Sequence, residues 1–207
     1  AHIVDLPGTY SLNTTSLDES VAVELLLNRN APDFPDLVVV VSDVENLKRN
    51  PLLFTQIKDL RLPAVLVINM ADRMDRKGIS LNKELLEKKL GTRVVLTSSR
   101  KGTGIEDLKA CISDFETIPN APCTDVTVIA KDYFDRLRSA FPKEDLYKLW
   151  LVITQDVNFM PIEKNLKQST ASFQTKSKAE LKKLQQRETI LRYQLINGIP
   201  NFHSFIF

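Results

Sequence analysis

Three short sets of residues in this chain have types and spacing that can do chemistry: Asp5-Leu6-Pro7-Gly8, Asn69-Met70-Ala71-Asp72, and Ser98-Ser99-Arg100. Each follows a short apolar run, where a parallel sheet presents its ligand-binding loops. The Asp5 carboxylate can orient a Mg²⁺-bound water, and Gly8, lacking a Cβ, lets its backbone N–H approach a terminal phosphate. Asp72 can accept two hydrogen bonds, from the N1–H and the exocyclic amine of guanine, a donor pair that adenine does not present. Asn69 can tie that loop to its neighbours and to the purine edge. Backbone N–H groups of Ser98, Ser99 and Arg100 can donate to the guanine carbonyl oxygen, while Gly102 and Gly104 let the chain turn into the next helix. Taken singly, each set has a plainer reading, as a Pro-Gly turn, a capping asparagine or a common strand-to-helix loop. Their order on successive strand ends makes them half of a GTP-binding site. The phosphate-cradling half, G-x-x-x-x-G-K-[ST], occurs nowhere in the 207 residues, so the chain reads as truncated and as opening inside a strand.

The elements that must position these loops alternate between two periodicities. His2-Ile3-Val4, Leu37 to Val41, Ala64 to Ile68 and Val94 to Leu96 are near-continuous apolar runs, which predicts four buried parallel strands. Ser16-Leu17-Asp18-Glu19 is a capping box before Val21, Leu25 and Leu26, Asn50-Pro51 opens a helix with Leu53, Ile57 and Leu60 on one face, and Ser80 caps a helix that stops at Gly91. A further helix is expected from about Ile105 to Phe115. Such alternation predicts an α/β fold around a parallel sheet.

After the prolines of Ile118-Pro119-Asn120-Ala121-Pro122 the pattern becomes helical. Helices are predicted over Val128 to Phe141, stopped by Pro142, and over Leu146 to Val152. Gln168 to Ser177 reads as a polar loop. Ser177-Lys178-Ala179-Glu180 is a second capping box, opening a helix whose apolar stripe of Leu181, Leu184, Leu191 and Leu195 is interrupted at Glu188. Its basic face, Lys178, Lys182, Lys183 and Arg187, reads as solvated. The predicted division is residues 1–118 as a nucleotide-binding domain, 119–125 as a linker, 126–197 as a small all-α domain and 198–207 as a tail.

Composition narrows the class without naming it. A hydrophobic fraction of 43% and a charged fraction of 26% suit a core plus a smaller module, and a net charge of +2 does not by itself imply nucleic acid. Cys111 and Cys123 form no C-x-x-C pair, which fits packing residues in a reducing compartment. No apolar run approaches the ~20 residues of a membrane span, so this piece is expected to be soluble. His2 reads as a strand residue and His203 as part of the tail. Nothing gathers histidine, cysteine and carboxylates at metal-ligand spacing, so no iron is expected here.

The string Asp5-Leu6-Pro7-Gly8-Thr9-Tyr10-Ser11-Leu12, followed by Ser16-Leu17-Asp18-Glu19, by Asp43 with Asn46-Leu47 and Arg49-Asn50, and by Asn69-Met70, resembles the cytosolic region of the ferrous iron transport protein B family, FeoB. Methionine stands where many GTPases place a lysine after the guanine-reading asparagine, a feature shared with that family. Glu188-Thr189-Ile190-Leu191-Arg192-Tyr193 extends the resemblance to the end of the family's helical domain, and it fades over Pro200 to Phe207. The resemblance implies an incomplete P-loop GTPase-type sheet followed by a helical domain. It implies that Asp5 and Gly8 belong to the third G motif, Asn69 and Asp72 to the fourth, and Ser98-Ser99-Arg100 to the fifth. Thr9, Tyr10 and Ser11 then begin the second switch.

The same resemblance implies a parent protein at the cytoplasmic face of a bacterial inner membrane, binding GTP or GDP with Mg²⁺ and joined to a transmembrane channel on the same polypeptide. Thr9 occupies the place where many GTPases orient water with glutamine, so hydrolysis is expected to be slow, and no general base or other catalytic residue is assigned. This piece alone is expected to bind GTP weakly, with no cofactor held. If the family's sheet order applies, the absent first strand leaves residues 1 to 4 to close against Leu37 to Val41, pair with another molecule, or sit displaced, and an open edge invites self-association. Two other readings stand beside this one. An RNA- or ribosome-associated G protein with a basic helical appendage is disfavoured by the modest charge and by the lack of interleaved aromatics. An α/β interaction domain carrying chance motifs is the plainest alternative.

Overall fold

The structure is a computed structural model that describes residues 1–13, 17–47, 50–154, 161–171, 173 and 178–197. In chain order its main elements are α1 (Leu17–Leu27), β1 (Val38–Asp43), α2 (Asn50–Asp59), β2 (Ala64–Asn69), α3 (Met74–Lys77), α4 (Lys83–Leu90), β3 (Val94–Leu96), α5 (Ile105–Ser113), α6 (Lys131–Ala140), α7 (Leu146–Thr154), α8 (Pro161–Ser169) and α9 (Lys178–Asn197). Two compact units emerge, residues 1–35 with 125–190 and residues 36–124 with 191–207.

The second unit is built on a parallel sheet in the order β1-β2-β3. Val38 pairs with Ala64 and Asp43 with Asn69, while Leu66 pairs with Val94 and Ile68 with Leu96. β2 is buried from Ala64 to Ile68, which explains why its sequence shows no alternation. On one face Val65, Val67 and Val95 pack with Cys111 and Ile118, against Leu37, Val39 and Leu108. α2 packs on β1 and β2, and α4 on β3. The predicted start of α4 shifts, because Asn82 and not Ser80 caps it: the Asn82 side chain accepts from Leu85 N–H at 2.9 Å. The helix ends at Gly91 as expected, with φ 58°.

The expected fourth strand is absent. Residues 1 to 4 form no strand, and Ile3 is 82% exposed. His2-Ile3-Val4 pairs with no strand, and it belongs to the compact unit other than the one built on the sheet. β1 correspondingly has β2 as its one partner among the described residues, and Val41 is 61% exposed.

The first unit is helical around an aromatic core. Tyr133, Phe134 and Trp150 stack edge-on or tilted at centroid distances of 5.6 to 6.3 Å. The predicted helix over Val128 to Phe141 resolves into a 3₁₀ turn, Val126–Ile129, followed by α6. Asp145 caps α7 by accepting from the N–H groups of Tyr147 and Lys148 at 2.9 and 3.0 Å, and Lys148 Nζ reaches the Leu27 carbonyl at the end of α1 at 2.9 Å. Gln168 falls within α8 and not in a loop. The capping residues expected at Ser16 and Ser177, and the tail 198–207, lie outside the described residues, as do the side chain of Asn50 and all of Arg49.

The interruption of the α9 stripe has a physical reason. Glu188 is fully buried and accepts from Tyr147 OH at 2.9 Å and from Trp150 Nε1 at 2.6 Å, so a carboxylate serves two buried donors at once. Lys182, Lys183 and Arg187 on the other side are exposed. Replacing Glu188 with alanine takes the shared acceptor from both donors and leaves a cavity; chemical denaturation is expected to show a loss of about 3 kcal/mol or more.

Candidate functional site

The loops after β2 and β3 come together because their strands end in register. Ile68 pairs with Leu96, the Thr97 N–H then donates to the Ile68 carbonyl at 2.9 Å, and the Ala71 N–H donates to the Thr97 carbonyl at 2.9 Å. These two bonds extend the ladder past the last paired residues and lock one loop against the other.

Asn69 stands at the end of β2 with its side-chain oxygen committed. Oδ1 accepts from the Ser99 N–H at 3.1 Å, with Ser99 Oγ at 3.2 Å and Thr97 Oγ1 at 3.3 Å. An N–H donor on that atom identifies it as the amide oxygen, so the Asn69 amide nitrogen is directed away from the β3 loop. Met70 then adopts a left-handed conformation, φ 61° and ψ 28°, unusual for a residue with a long side chain, and begins the single 3₁₀ turn Ala71–Arg73. That turn carries Asp72.

Asp72 meets Ser98 at 2.7 Å, Oγ donating to Oδ1. This bond, helped by the residue's own backbone N–H and by Lys101 and Arg100, holds the Asp72 carboxyl below the usual carboxylate range, against an opposing contribution from partial burial. Ser98 is itself fully buried, and its N–H is used to bridge to the Thr103 carbonyl at 3.0 Å. The loop closes tightly behind it: Gly104 has φ 74°, and a Cβ placed there would lie 2.0 Å from the Leu96 carbonyl oxygen. Glycine is the residue that the approach permits.

A third loop supports the first from the other side. Asp43 at the end of β1 accepts from the N–H groups of Glu45 and Asn46, both at 2.8 Å, and from Asn46 Nδ2 at 2.8 Å. The turn so formed lets the Val44 N–H donate to the Asn69 carbonyl at 3.0 Å and brings Glu45 within 3.0 Å of Arg73.

The sequence-derived residues thus fall into two groups. Asn69, Asp72, Ser98 and Ser99 are joined by hydrogen bonds, and Met70, Ala71 and Arg100 lie in the same two loops. Asp5, Leu6, Pro7 and Gly8 belong to the other compact unit, in irregular backbone, with Asp5, Pro7 and Gly8 exposed. A Cβ at Gly8 would meet nothing within 4 Å, so packing does not require glycine there. Thr9 Oγ1 donates to the Ser11 carbonyl at 2.8 Å and lies 3.4 Å from Glu19 Oε1, and Tyr10 is 56% exposed. The Ser98 hydroxyl as a partner of Asp72, and Thr97 as a partner of Asn69, escape a reading that assigns the loop only backbone donors. The available signal was a run of three hydroxyl residues, Thr97-Ser98-Ser99, directly after an apolar strand. Among the described residues no group of three or more histidines, cysteines and carboxylates is placed to hold a metal ion, and no helix is long and apolar enough to cross a membrane.

Comparison with known proteins bears on this arrangement. The family described as "Ferrous iron transport protein B" matches residues 1–112. The chain is similar to the Fe(2+) transporter FeoB of Escherichia coli strain K12, 34% identical over 146 residues that make up 69% of this chain and 18% of that protein. The chain therefore spans about a fifth of the length of that curated relative. Among solved structures, the cytosolic domain of the T. maritima FeoB iron transporter in a GDP form superimposes with a TM-score of 0.76 at 23% identity, covering 94% of this chain and 76% of that one, a likeness of fold. The FeoB G-domain from Methanococcus jannaschii is 40% identical with a TM-score of 0.51, covering 54% of this chain and 69% of that one.

The Asp72–Ser98 contact has a measurable signature. With Ser98→Ala the Asp72 carboxyl loses its main stabilising donor, and a carboxyl-carbon NMR titration is expected to show its pKa rising toward the ordinary carboxylate value. In the unsubstituted chain the loop contact is complete above the ordinary carboxylate range and is lost as pH falls through the depressed value, because the ionised form is the one that accepts the bond.

Proposed function

The chain belongs to the ferrous iron transport protein B family, whose model matches more than half of its length, and from that premise we propose that it contains the guanine-reading part of a GTP-binding regulatory region of a ferrous iron transporter. The observation that carries the reading is the ionised Asp72 held by Ser98 beside an Asn69 whose oxygen is committed to the same loop. An acceptor-only group held by one donor retains lone pairs for two more, which is what the N1–H and exocyclic amine of guanine require. The Asn69 amide nitrogen supplies a donor for the purine edge; the Ser98 and Ser99 N–H groups are already bonded to the Thr103 carbonyl and to Asn69 Oδ1, so in the Ser98-Ser99-Arg100 loop the donor to the guanine carbonyl is assigned to the Arg100 N–H.

Residues 1–118 are read as the G domain of the intact protein, 119–125 as a linker, 126–197 as a helical domain and 198–207 as a tail. Asp5 and Gly8 belong to its phosphate-sensing motif, and Thr9, Tyr10 and Ser11 to the switch that follows. The residues present do not complete a Mg²⁺ site. Asp5 is a single exposed carboxylate suited to a water-mediated contact, and a P-loop serine or threonine is not found within a G-x-x-x-x-G-K-[ST] segment of this sequence. The 207 residues by themselves accordingly bind GTP weakly and turn it over poorly. In the intact protein Thr9, with its hydroxyl engaged by the Ser11 carbonyl, does not orient water as a glutamine does, and hydrolysis is slow. The parent lies at the cytoplasmic face of a bacterial inner membrane, where this region acts on the channel of the same polypeptide.

The test is Asp72→Asn in the intact parent protein. An amide there sets its N–H₂ donor against the guanine amine, whereas the same donor fits the C2 carbonyl of xanthine, so the ratio of GTP to xanthosine triphosphate affinity is expected to fall by roughly two orders of magnitude or more. Competition binding with the two nucleotides measures it. An unchanged preference for GTP removes Asp72 from the base site and overturns the reading.

A further inference from the structure

The last turn of α2 carries two neighbouring charged side chains that are both buried, Lys58 at 0% and Asp59 at 4% exposure. They grip different things. Lys58 Nζ donates to the Gly91 carbonyl at 3.1 Å, at the end of α4, and to the Pro119 carbonyl. Asp59 Oδ1 accepts from the N–H groups of Cys123 and Thr124 at 2.9 and 3.0 Å, and Oδ2 accepts from Arg192 Nη1 at 2.8 Å. Arg192 is also fully buried, and its Nη1 lies 3.4 Å from Thr124 Oγ1. Residues 119 to 124 and the end of α9 from Leu191 onward therefore meet on one helix end, within one compact unit.

What is held there differs from what holds it. Residues 119 to 124 form neither helix nor strand, and those from 119 to 122 are exposed. Their backbone is fastened to the unit by side chains of α2 and not by a ladder of its own. The apolar cluster of Val65, Val67, Val95, Cys111 and Ile118 lies under the sheet and includes no residue of that segment.

We propose that Lys58, Asp59 and Arg192 form a latch whose release frees residues 119–124 and the end of α9 together while the sheet stays folded. Losing either member of the Asp59–Arg192 pair leaves the other charge buried without its counter-ion, a cost that the open form escapes by hydrating it. The latch thus has two discrete arrangements, with the segment seated and both charges paired, or lifted and both charges in water. It stands whether or not the base-reading role of Asp72 holds, since it uses none of the same residues.

The chain contains its own pair of reporters. Cys123 sits on the latched segment with its Sγ 3.8 Å from the Thr55 carbonyl, and burial pushes its thiol up to about 12, so it reacts slowly while seated. Cys111 is 4% exposed in the cluster beneath the sheet and becomes accessible when the sheet itself opens. The experiment alkylates the 207-residue chain with iodoacetamide at mildly alkaline pH and follows each cysteine by mass spectrometry. The comparison is among the unsubstituted chain, Asp59→Asn, Arg192→Met and the double variant. The expected result is a rise in Cys123 labelling of roughly two orders of magnitude in each single variant with Cys111 unchanged, and a smaller rise in the double variant, which removes both members of the Asp59–Arg192 pair and leaves Lys58 still held by its two carbonyls. Equal acceleration of both cysteines shows a site that opens only with the whole unit, and an unchanged Cys123 rate shows a segment held by other means; either result overturns the proposal. Where a single variant fails to fold, the ratio of the two rates in the double variant decides the matter alone.

Discussion

Everything in the second unit hangs on β2 being paired along both edges and buried on both faces. A strand so enclosed has no freedom of register, because a shift of one residue would exchange its two faces and uncouple both neighbours. Asn69 is therefore delivered to one place, the first residue beyond five buried ones, and the loops of β1 and β3 find it there. From one side the Val44 N–H takes its carbonyl; from the other the Ser99 N–H takes its side-chain oxygen. The site is thus an outgrowth of strand pairing, extended by a few bonds past the last ladder residue, and its order comes from the sheet more than from the loops.

The opposite end of the same unit meets a different demand. The chain entering β2 and the chain leaving α5 both lie near the end of α2, where apolar packing is interrupted by prolines and by exposed backbone. Buried charges are a costly way to hold such a region, since each must surrender its hydration. Here each charge has partners that water would otherwise supply: two carbonyls for Lys58, two backbone N–H groups and a guanidinium for Asp59. Burial still raises the Asp59 carboxyl above its ordinary range despite the opposing pull of Arg192 and the backbone donors, and burial lowers the Lys58 ammonium. Polar bonds of this kind confer one geometry and dissolve cooperatively, whereas an apolar contact tolerates sliding.

How much of this was legible beforehand follows from which forces are local. Apolar runs at Leu37, Ala64 and Val94 identified the three strands because full burial leaves a composition mark on every residue of a strand. His2-Ile3-Val4 carried the same mark and formed no strand, because pairing depends on a neighbour and the neighbour is not written in the three residues. Asn69 and Asp72 could be singled out by spacing, but the role of the Ser98 hydroxyl depends on how two loops far apart in sequence face each other. Glu188 looked like an interruption of a helical stripe, since nothing nearby in sequence announces Tyr147 and Trp150 as donors waiting for it. Ser80 was a plausible cap, yet Asn82 lies closer to the helix and has the reach to meet the Leu85 N–H. The Asp59–Arg192 pair joins residues 133 positions apart and was invisible for the same reason.

α2 gives the two ends a common axis. It begins beyond the Asp43 turn at the carboxyl end of β1 and finishes just before β2, so it runs back along the sheet for about 15 Å, given ten residues at the usual rise. Its packing on β1 and β2 keeps it straight against the most constrained strand of the unit, and a rod held in that way moves as one piece or not at all. The helix from Leu52 to Asp59 has no glycine or proline at which to bend, so the turn that carries Lys58 and Asp59 is fixed relative to β1 and β2 by the packing of the whole helix.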